Sequence, residues 1–304
     1  MPPYESIMRH PLSDIERQRI RIALVEDGGR EDVTTLATVG EEAEGVGTFI
    51  AKANGIIAGI GIAEHCFSLY ETIHGRSSPT FEFVEIVDDG ESVQTGDMLA
   101  SVRARMHTLL AAERVALNFL QRMSGIATLT RAFVNAVEGT GAIILDTRKT
   151  APLLRPFDRY AVRAGGGTNH RYSLSDMVLV KDNHIAANGG DIGLVIAKLI
   201  EFFATPDCAV VPVEIEVTSL EQFDDVLRLG LGIIDRVMFD NFTLEMLRDA
   251  VRMNNGVFET EASGGVTLET VRAIAETGVN FISVGALTHS VRALDISLEI
   301  EPAP

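Results

Sequence analysis

Beyond about residue 125 the chain alternates short apolar runs with amphipathic stretches, and nearly every apolar run ends on a charged or polar group. That alternation is the pattern of βα units and a parallel sheet. It predicts strands over 142–145, 177–180, 210–217, 233–239, 257–260 and 281–284. Helices are predicted between them, for example over 220–229, 244–253 and 268–277, with Thr218-Ser219 and Thr243 placed as N-caps. Six such units suit an irregular, incomplete α/β barrel better than an open sheet.

The earlier chain reads differently. Strand composition over 45–53, 81–87 and 98–104 is separated by the turn sequences Asp88-Asp89-Gly90 and Thr95-Gly96-Asp97. A helix around 66–72 is predicted to cross this sheet, and a helical lead-in to occupy 1–22. A longer helix over 108–123 would carry Leu109, Ala112, Ala116, Phe119 and Leu120 on one face. The expectation is α/β throughout: a β-rich α/β sandwich over 1–118, a barrel catalytic domain over 119–290, and a tail over 291–304 able to pack on the first domain.

The strand ends carry the chemistry. The strand over 142–145 runs into Asp146-Thr147-Arg148-Lys149, and the next ends at Lys181-Asp182-Asn183-His184. Glu214 and Glu216 share one strand face by two-residue alternation, with Glu216 nearer the end. Asp240-Asn241, Glu261-Ala262-Ser263-Gly264-Gly265 and Gly285 close the remaining strands. In a parallel barrel all these termini lie on one rim, where active sites are built. A structural reading alone explains them poorly, because unpaired charges beside a core are costly. Ser263-Gly264-Gly265 and Val284-Gly285 read as a phosphate cradle, with a helix starting near Thr267 adding its positive end.

The formal net charge is −17, which opposes nucleic-acid binding by bulk electrostatics. Its distribution says more: residues 103–181 hold twelve Lys/Arg against five Asp/Glu, so this segment is +7 and the remainder −24. A basic island in an acidic protein suggests a local site for a small anion, although about half of these cations should simply sit on solvated faces. The longest apolar run, 55–63, is half the length needed to cross a bilayer. The first thirty residues lack a secretory pattern, and Cys66 and Cys208 read as buried apolar residues rather than a disulfide or thiolate site. A cytoplasmic protein with no membrane partner is expected.

Asp146-Thr147-Arg148-Lys149-Thr150, then Ala164-Gly165-Gly166-Gly167-Thr168-Asn169-His170-Arg171, then Val180-Lys181-Asp182-Asn183-His184 form an ordered set that resembles quinolinate phosphoribosyltransferases. The resemblance continues in Glu113-Arg114-Val115-Ala116-Leu117-Asn118-Phe119, Val213-Glu214-Ile215-Glu216-Val217, Phe239-Asp240-Asn241-Phe242 and Ser283-Val284-Gly285-Ala286-Leu287-Thr288, covering about 22–298. It implies a pentosyltransferase of de novo NAD synthesis, taking quinolinate and phosphoribosyl pyrophosphate (PRPP) to nicotinate mononucleotide, pyrophosphate and CO2 with Mg2+. It also implies a homodimer, or a higher oligomer, whose subunits complete each other's sites.

Residue roles follow from the same resemblance. Thr147, Arg148, His170, Arg171 and Lys181 stand at the quinolinate-binding positions, and Arg114 at that of an arginine lent across the dimer interface. Forked guanidinium groups suit adjacent carboxylates. Lys149 is the expected partner of PRPP oxygens and a catalytic residue. Glu216 and Asp240 match an acidic pair near the ribose and Mg2+, meeting the metal directly or through water. Ser263, Gly264, Gly265, Ser283, Val284 and Gly285 would hold the 5′-phosphate. Gly165 to Gly167 read as a turn, and His184 as structural. Two departures stand out: the stretch from Glu216 to Asp240 is a few residues long for the family, and Asp182 stands where Glu is more familiar. The nearest rival is a base phosphoribosyltransferase on the same scaffold, such as a molybdenum-gene-associated relative. The four cations Arg148, His170, Arg171 and Lys181 favour a dicarboxylate. A non-catalytic anion sensor or RNA-binding protein would want more aromatics for stacking.

Overall fold

The computed structural model describes residues 12–28, 31–73, 81–205 and 209–303. The chain forms two compact units, one gathering residues up to 131 with 150–166 and 288–304, the other gathering 132–149 and 167–287. Each is built from separate stretches of chain, whereas the simplest sequence expectation placed single boundaries after 118 and 290. One helix, Met106–Ala136, runs unbroken through residue 118, and the opening stretch of the first unit ends within it at 131.

The first unit holds β1 (Glu44–Ala51), β2 (Gly55–Ile56), β3 (Glu82–Glu85), β4 (Ser92–Val93) and β5 (Met98–Arg105). Along β1 buried and more open positions alternate, with Phe49 and Ala51 fully buried, as two-residue periodicity requires. The helix Ile60–Ile73 lays Cys66 and Phe67 into the core, where Phe67 meets Phe49 and Phe83 with ring centroids 6.3 and 6.4 Å apart. Burial pushes the Cys66 thiol well above its ordinary pKa, which fits an inert core residue; Cys208 lies outside the described residues. The lead-in helix spans Asp14–Glu26 and begins where Ser13 and Glu16 form a reciprocal capping box; residues 1–11 of the expected 1–22 lie outside the described ones.

On the helix Met106–Ala136, Leu109, Ala112, Ala116 and Leu120 are fully buried, so the expected apolar face is present and the helix continues past its expected end. A Cβ added at Gly125 would collide with the Arg292 carbonyl oxygen, so this helix admits the returning chain only at glycine. Arg122 binds the fully buried Asp158 through two 2.9 Å hydrogen bonds and also donates to the Thr288 carbonyl.

The second unit contains β6 (Ile143–Leu145), β7 (Val178–Val180), β8 (Val213–Val217), β9 (Arg236–Asp240), β10 (Glu259–Ser263) and β11 (Phe281–Ser283), parallel in the order β6-β11-β10-β9-β8-β7. All six expected strands are present. β6 and β7 remain sheet ends, so the barrel is incomplete, and an isolated parallel bridge from Leu145 to Thr168 brings the next segment beside β6. Ser219 and Thr243 cap the helices Leu220–Leu229 and Leu244–Asn254, accepting from the N–H groups of Gln222 and Met246. The third expected helix is shorter, Val271–Ala275, and does not begin near Thr267. A turn precedes it, in which the Thr267 carbonyl accepts from the Thr270 and Val271 N–H groups.

The tail returns to the first unit. β12 (Ile296–Pro302) pairs antiparallel with β1 and completes a sheet of order β12-β1-β5-β3. No helix among the described residues is long and apolar enough to cross a membrane.

Candidate active site

Strand register decides which side chains meet. Glu214 is opposite Arg236 and Glu216 opposite Met238, while Met238 and Asp240 are opposite Glu261 and Ser263. Opposed residues on neighbouring strands share a face, and alternate residues return to it. Lys181, Glu216, Asp240, Ser263 and Ser283 therefore follow one another across the same face at the carboxyl ends of β7, β8, β9, β10 and β11. A cavity of about 590 Å³ opens there, wholly within the second unit.

The cavity is lined by Thr147, Arg148 and Lys149 after β6, by His170 and Arg171, and by Lys181, Glu216, Asp240, Ser263, Gly264, Gly265 and Ser283. Leu179, Met238 and Asn241 also line it. Of the twelve cations in the basic segment, Arg148, Lys149, Arg171 and Lys181 reach this pocket. Others serve the first unit: Arg122 holds Asp158, and Arg131 donates to the Gly165 carbonyl at 2.9 Å.

The cations are held in place by local bonds. Asp146, fully buried, accepts the His170 N–H and the Asn169 amide, each at 2.7 Å, which fixes the loop carrying Arg171. Arg171 Nη1 donates to the Met177 carbonyl at 2.9 Å. Burial, then the neighbouring Arg148 cation, lowers the Arg171 pKa. A guanidinium remains charged regardless, so two like charges stand together on the cavity wall. Lys181 Nζ lies 3.1 Å from Glu216 Oε2, and Lys149, more exposed, has its backbone N–H on the Thr147 hydroxyl at 3.1 Å. His184 Nδ1 accepts the Lys181 N–H at 2.9 Å, the structural role expected of it.

At the other end Gly264 adopts φ +100°, and a Cβ there would collide with the Asn241 side-chain amide. Only glycine lets the β10 loop pass this close to the β9 loop. Asp240 Oδ2 accepts from Asn241 Nδ2 at 2.8 Å, and the Asn241 N–H donates to the Ser263 carbonyl at 2.9 Å, so the two loops interlock beside the acid. Gly165 is packed against the Ala127 carbonyl and Thr130, and Gly166 turns with φ +92°, so this glycine run serves backbone shape.

Three expected site residues stand apart. Val284 is buried and its N–H is bound to the Leu145 carbonyl at 2.9 Å, so it has no N–H to offer a phosphate. Gly285 is half-buried and is not part of the lining. Arg114 belongs to the first unit, with a largely exposed side chain 4.0 Å from Glu113 Oε1.

His170 lines the pocket but turns its nitrogens inward. Nδ1 accepts the Arg171 N–H at 2.7 Å, while Nε2 lies 3.1 Å from Glu214 Oε2 and 3.6 Å from Glu261 Oε2. Burial lowers the His170 pKa, while the Glu261 charge opposes that. Burial pushes both Glu214 and Glu261 up to about 7, and the Glu214 charge adds to the rise at Glu261. Glu261 drew no attention as a site residue in the sequence. Its signal was two-residue alternation with Ser263, which places both on one face.

The chain matches the family models "Quinolinate phosphoribosyl transferase, N-terminal domain" over 32–124 and "Quinolinate phosphoribosyl transferase, C-terminal domain" over 126–299. It is 44% identical over 305 residues to a rice (Oryza sativa subsp. japonica) protein named nicotinate-nucleotide pyrophosphorylase [carboxylating], chloroplastic, covering 96% of this chain and 79% of that one. It is 39% identical over 279 residues to a Bacillus subtilis protein named probable nicotinate-nucleotide pyrophosphorylase [carboxylating], covering 91% and 90%. Its fold is similar to the crystal structure of NadC from Streptococcus pyogenes, with a TM-score of 0.87, 34% identity and coverage of 97% and 100%.

Proposed function

Because the chain belongs to the quinolinate phosphoribosyltransferase family, we infer that it transfers the phosphoribosyl group of PRPP to the ring nitrogen of quinolinate, releasing pyrophosphate and CO2. The product is nicotinate mononucleotide, and the reaction belongs to de novo NAD synthesis. The observation that carries this reading is the convergence of Arg148, Lys149, Arg171 and Lys181 with Glu216 and Asp240 around one cavity.

Arg148, Arg171 and Lys181 take the two carboxylates, with Thr147 beside them; a monocarboxylate such as nicotinate would need fewer cations. His170 shapes this end through the Arg171 N–H. Ser263, Gly264, Gly265 and Ser283 receive the 5′-phosphate. The pyridine nitrogen is already a nucleophile, so its attack on the anomeric carbon needs no general base. The C–O bond to pyrophosphate breaks as the N–C bond forms, and the charge that develops on the ribose is stabilised by Glu216 and Asp240. Lys149 meets the departing pyrophosphate. The pyridinium then accepts the electron pair left at C2 when CO2 departs, and C2 takes a proton.

Hard carboxylate oxygens at Glu216 and Asp240 fit Mg2+, and Lys181 already occupies Glu216 Oε2, which favours contact through water. Bound there, the ion would supply charge neutralisation for pyrophosphate. We further propose a homodimer, with Arg114 reaching the partner's pocket, on the strength of its exposure and its place outside its own pocket. A cytoplasmic location belongs to the same proposal, supported by the two widely spaced cysteines; cell fractionation tests it.

Incubation with quinolinate, PRPP and Mg2+ should yield CO2 and nicotinate mononucleotide in equal amounts. Product from nicotinate at a comparable rate, or no CO2, would remove the reading.

A further inference from the structure

Beneath the pocket lies a buried carboxylate that the reaction above does not use. Glu261 is fully buried on β10, where it accepts two hydrogen bonds and has an imidazole close by. The Ser283 hydroxyl donates to Oε1, while Arg236 Nη1 at 3.2 Å and His170 Nε2 at 3.6 Å face Oε2. Ser283 belongs to the phosphate end of the cavity, and His170 to the dicarboxylate end through its bond to the Arg171 N–H. One side chain thus bonds to the phosphate end and stands 3.6 Å from the histidine of the other.

Its neighbours restrict what it can do. Arg236 is shared with Glu259 at 2.9 Å and lies over the Phe281 ring, 3.8 Å from its centroid, so it is held in place. Because Nδ1 of His170 accepts a hydrogen bond, a neutral ring carries its single proton on Nε2. That N–H lies between two acids, closer to Glu214 than to Glu261. The Ser283 hydroxyl likewise has one hydrogen to give. A phosphate that takes it leaves Glu261 Oε1 without that donor. The carboxylate then draws harder on the His170 N–H, and any shift of the ring passes to the Arg171 backbone bound at Nδ1.

We propose that Glu261 is a positioning residue that couples the two ends of the pocket, so that phosphate bound at Ser283 strengthens dicarboxylate binding at Arg171. The inference rests on the functional reading given above. By linkage the effect is reciprocal: the dicarboxylate tightens phosphate binding by the same factor.

Calorimetry on the full chain tests it, with quinolinate titrated in the presence and absence of saturating ribose 5-phosphate. The wild type should bind quinolinate about fivefold to tenfold more tightly when ribose 5-phosphate is present, within the usual range of such couplings. In Glu261→Gln the ratio should fall to about one. Should that variant fail to fold, Ser283→Ala tests the same link from the other side and should also lose the ratio. A merely structural Glu261 would lower the melting temperature and leave the ratio intact, which would overturn the proposal. Normal turnover of quinolinate and PRPP with a wild-type ratio of one would overturn this inference alone. No quinolinate binding by the wild type would overturn the functional reading and this inference together.

Discussion

Lys181 Nζ and Glu216 Oε2 lie 3.1 Å apart at the ends of neighbouring strands, the lysine side chain 45% exposed and the acid 10%. The lysine thus sets a counter-charge beside an acid in a largely closed wall, and the acid aims the lysine. Replacing Glu216 by Gln keeps the shape and removes the charge. Turnover should fall roughly 10²–10³-fold, the scale for losing a preorganised charge stabiliser. The KM for quinolinate should change little, since Arg148 and Arg171 remain. Steady-state kinetics decides: a large KM effect with normal kcat would make Glu216 a binding residue.

Arg171 has its guanidinium tied to the Met177 carbonyl and its backbone N–H to His170. Arg171→Ala should weaken quinolinate binding by about 1.5–3 kcal/mol, the usual worth of a hydrogen bond to a charged group. Equilibrium binding in the absence of PRPP measures this directly. Unchanged affinity would take Arg171 out of the dicarboxylate site.

How much of this was legible beforehand depends on the kind of information. The six βα strands and the caps Ser219 and Thr243 follow from periodicity and cap chemistry, both local properties. Arg148, Lys149, Lys181 and Asp240 were visible because each stands at a strand end. Glu261 was visible only as a strand-end acid, because its partners Ser283, Arg236 and His170 come from three other segments, and strand register is not written in any one of them. Val284 looked like a phosphate donor for the same reason: its N–H is taken by Leu145, on a strand more than a hundred residues away in sequence. The span of the helix Met106–Ala136 was underestimated because apolar residues continue past 123 on more than one face; Ile126 and Ala127 are both fully buried.

The raised pKa of Glu261 has a consequence for stability. Its ordinary value is 4.5 and burial, with the Glu214 charge, lifts it to about 7 in the folded chain. Between those values the folded state binds more protons than the unfolded one, so stability is fullest below 4.5 and is lost as pH rises through about 7. Melting temperature should therefore decline between pH 5 and 8, and Glu261→Gln should flatten that decline. Thermal unfolding followed across this range checks it; an equal slope in the variant would mean that Glu261 ionises as easily folded as unfolded.

Arg114 poses a question that one subunit cannot answer. Its side chain is exposed beside Glu113, whose own pKa is raised by burial although the arginine opposes this. If it serves the partner's pocket, Arg114→Ala and Lys149→Ala should each be nearly inactive alone, the latter roughly 10²–10³-fold down. In mixed dimers, one of the two pockets pairs an intact Lys149 with an intact Arg114. With random mixing of equal amounts half the dimers are mixed, so about a quarter of all pockets regain activity, by the symmetry of a two-fold interface. Titrating one variant into the other and following CO2 release gives the answer. A flat response would place Arg114 outside the catalytic arrangement and leave it as a surface ion pair.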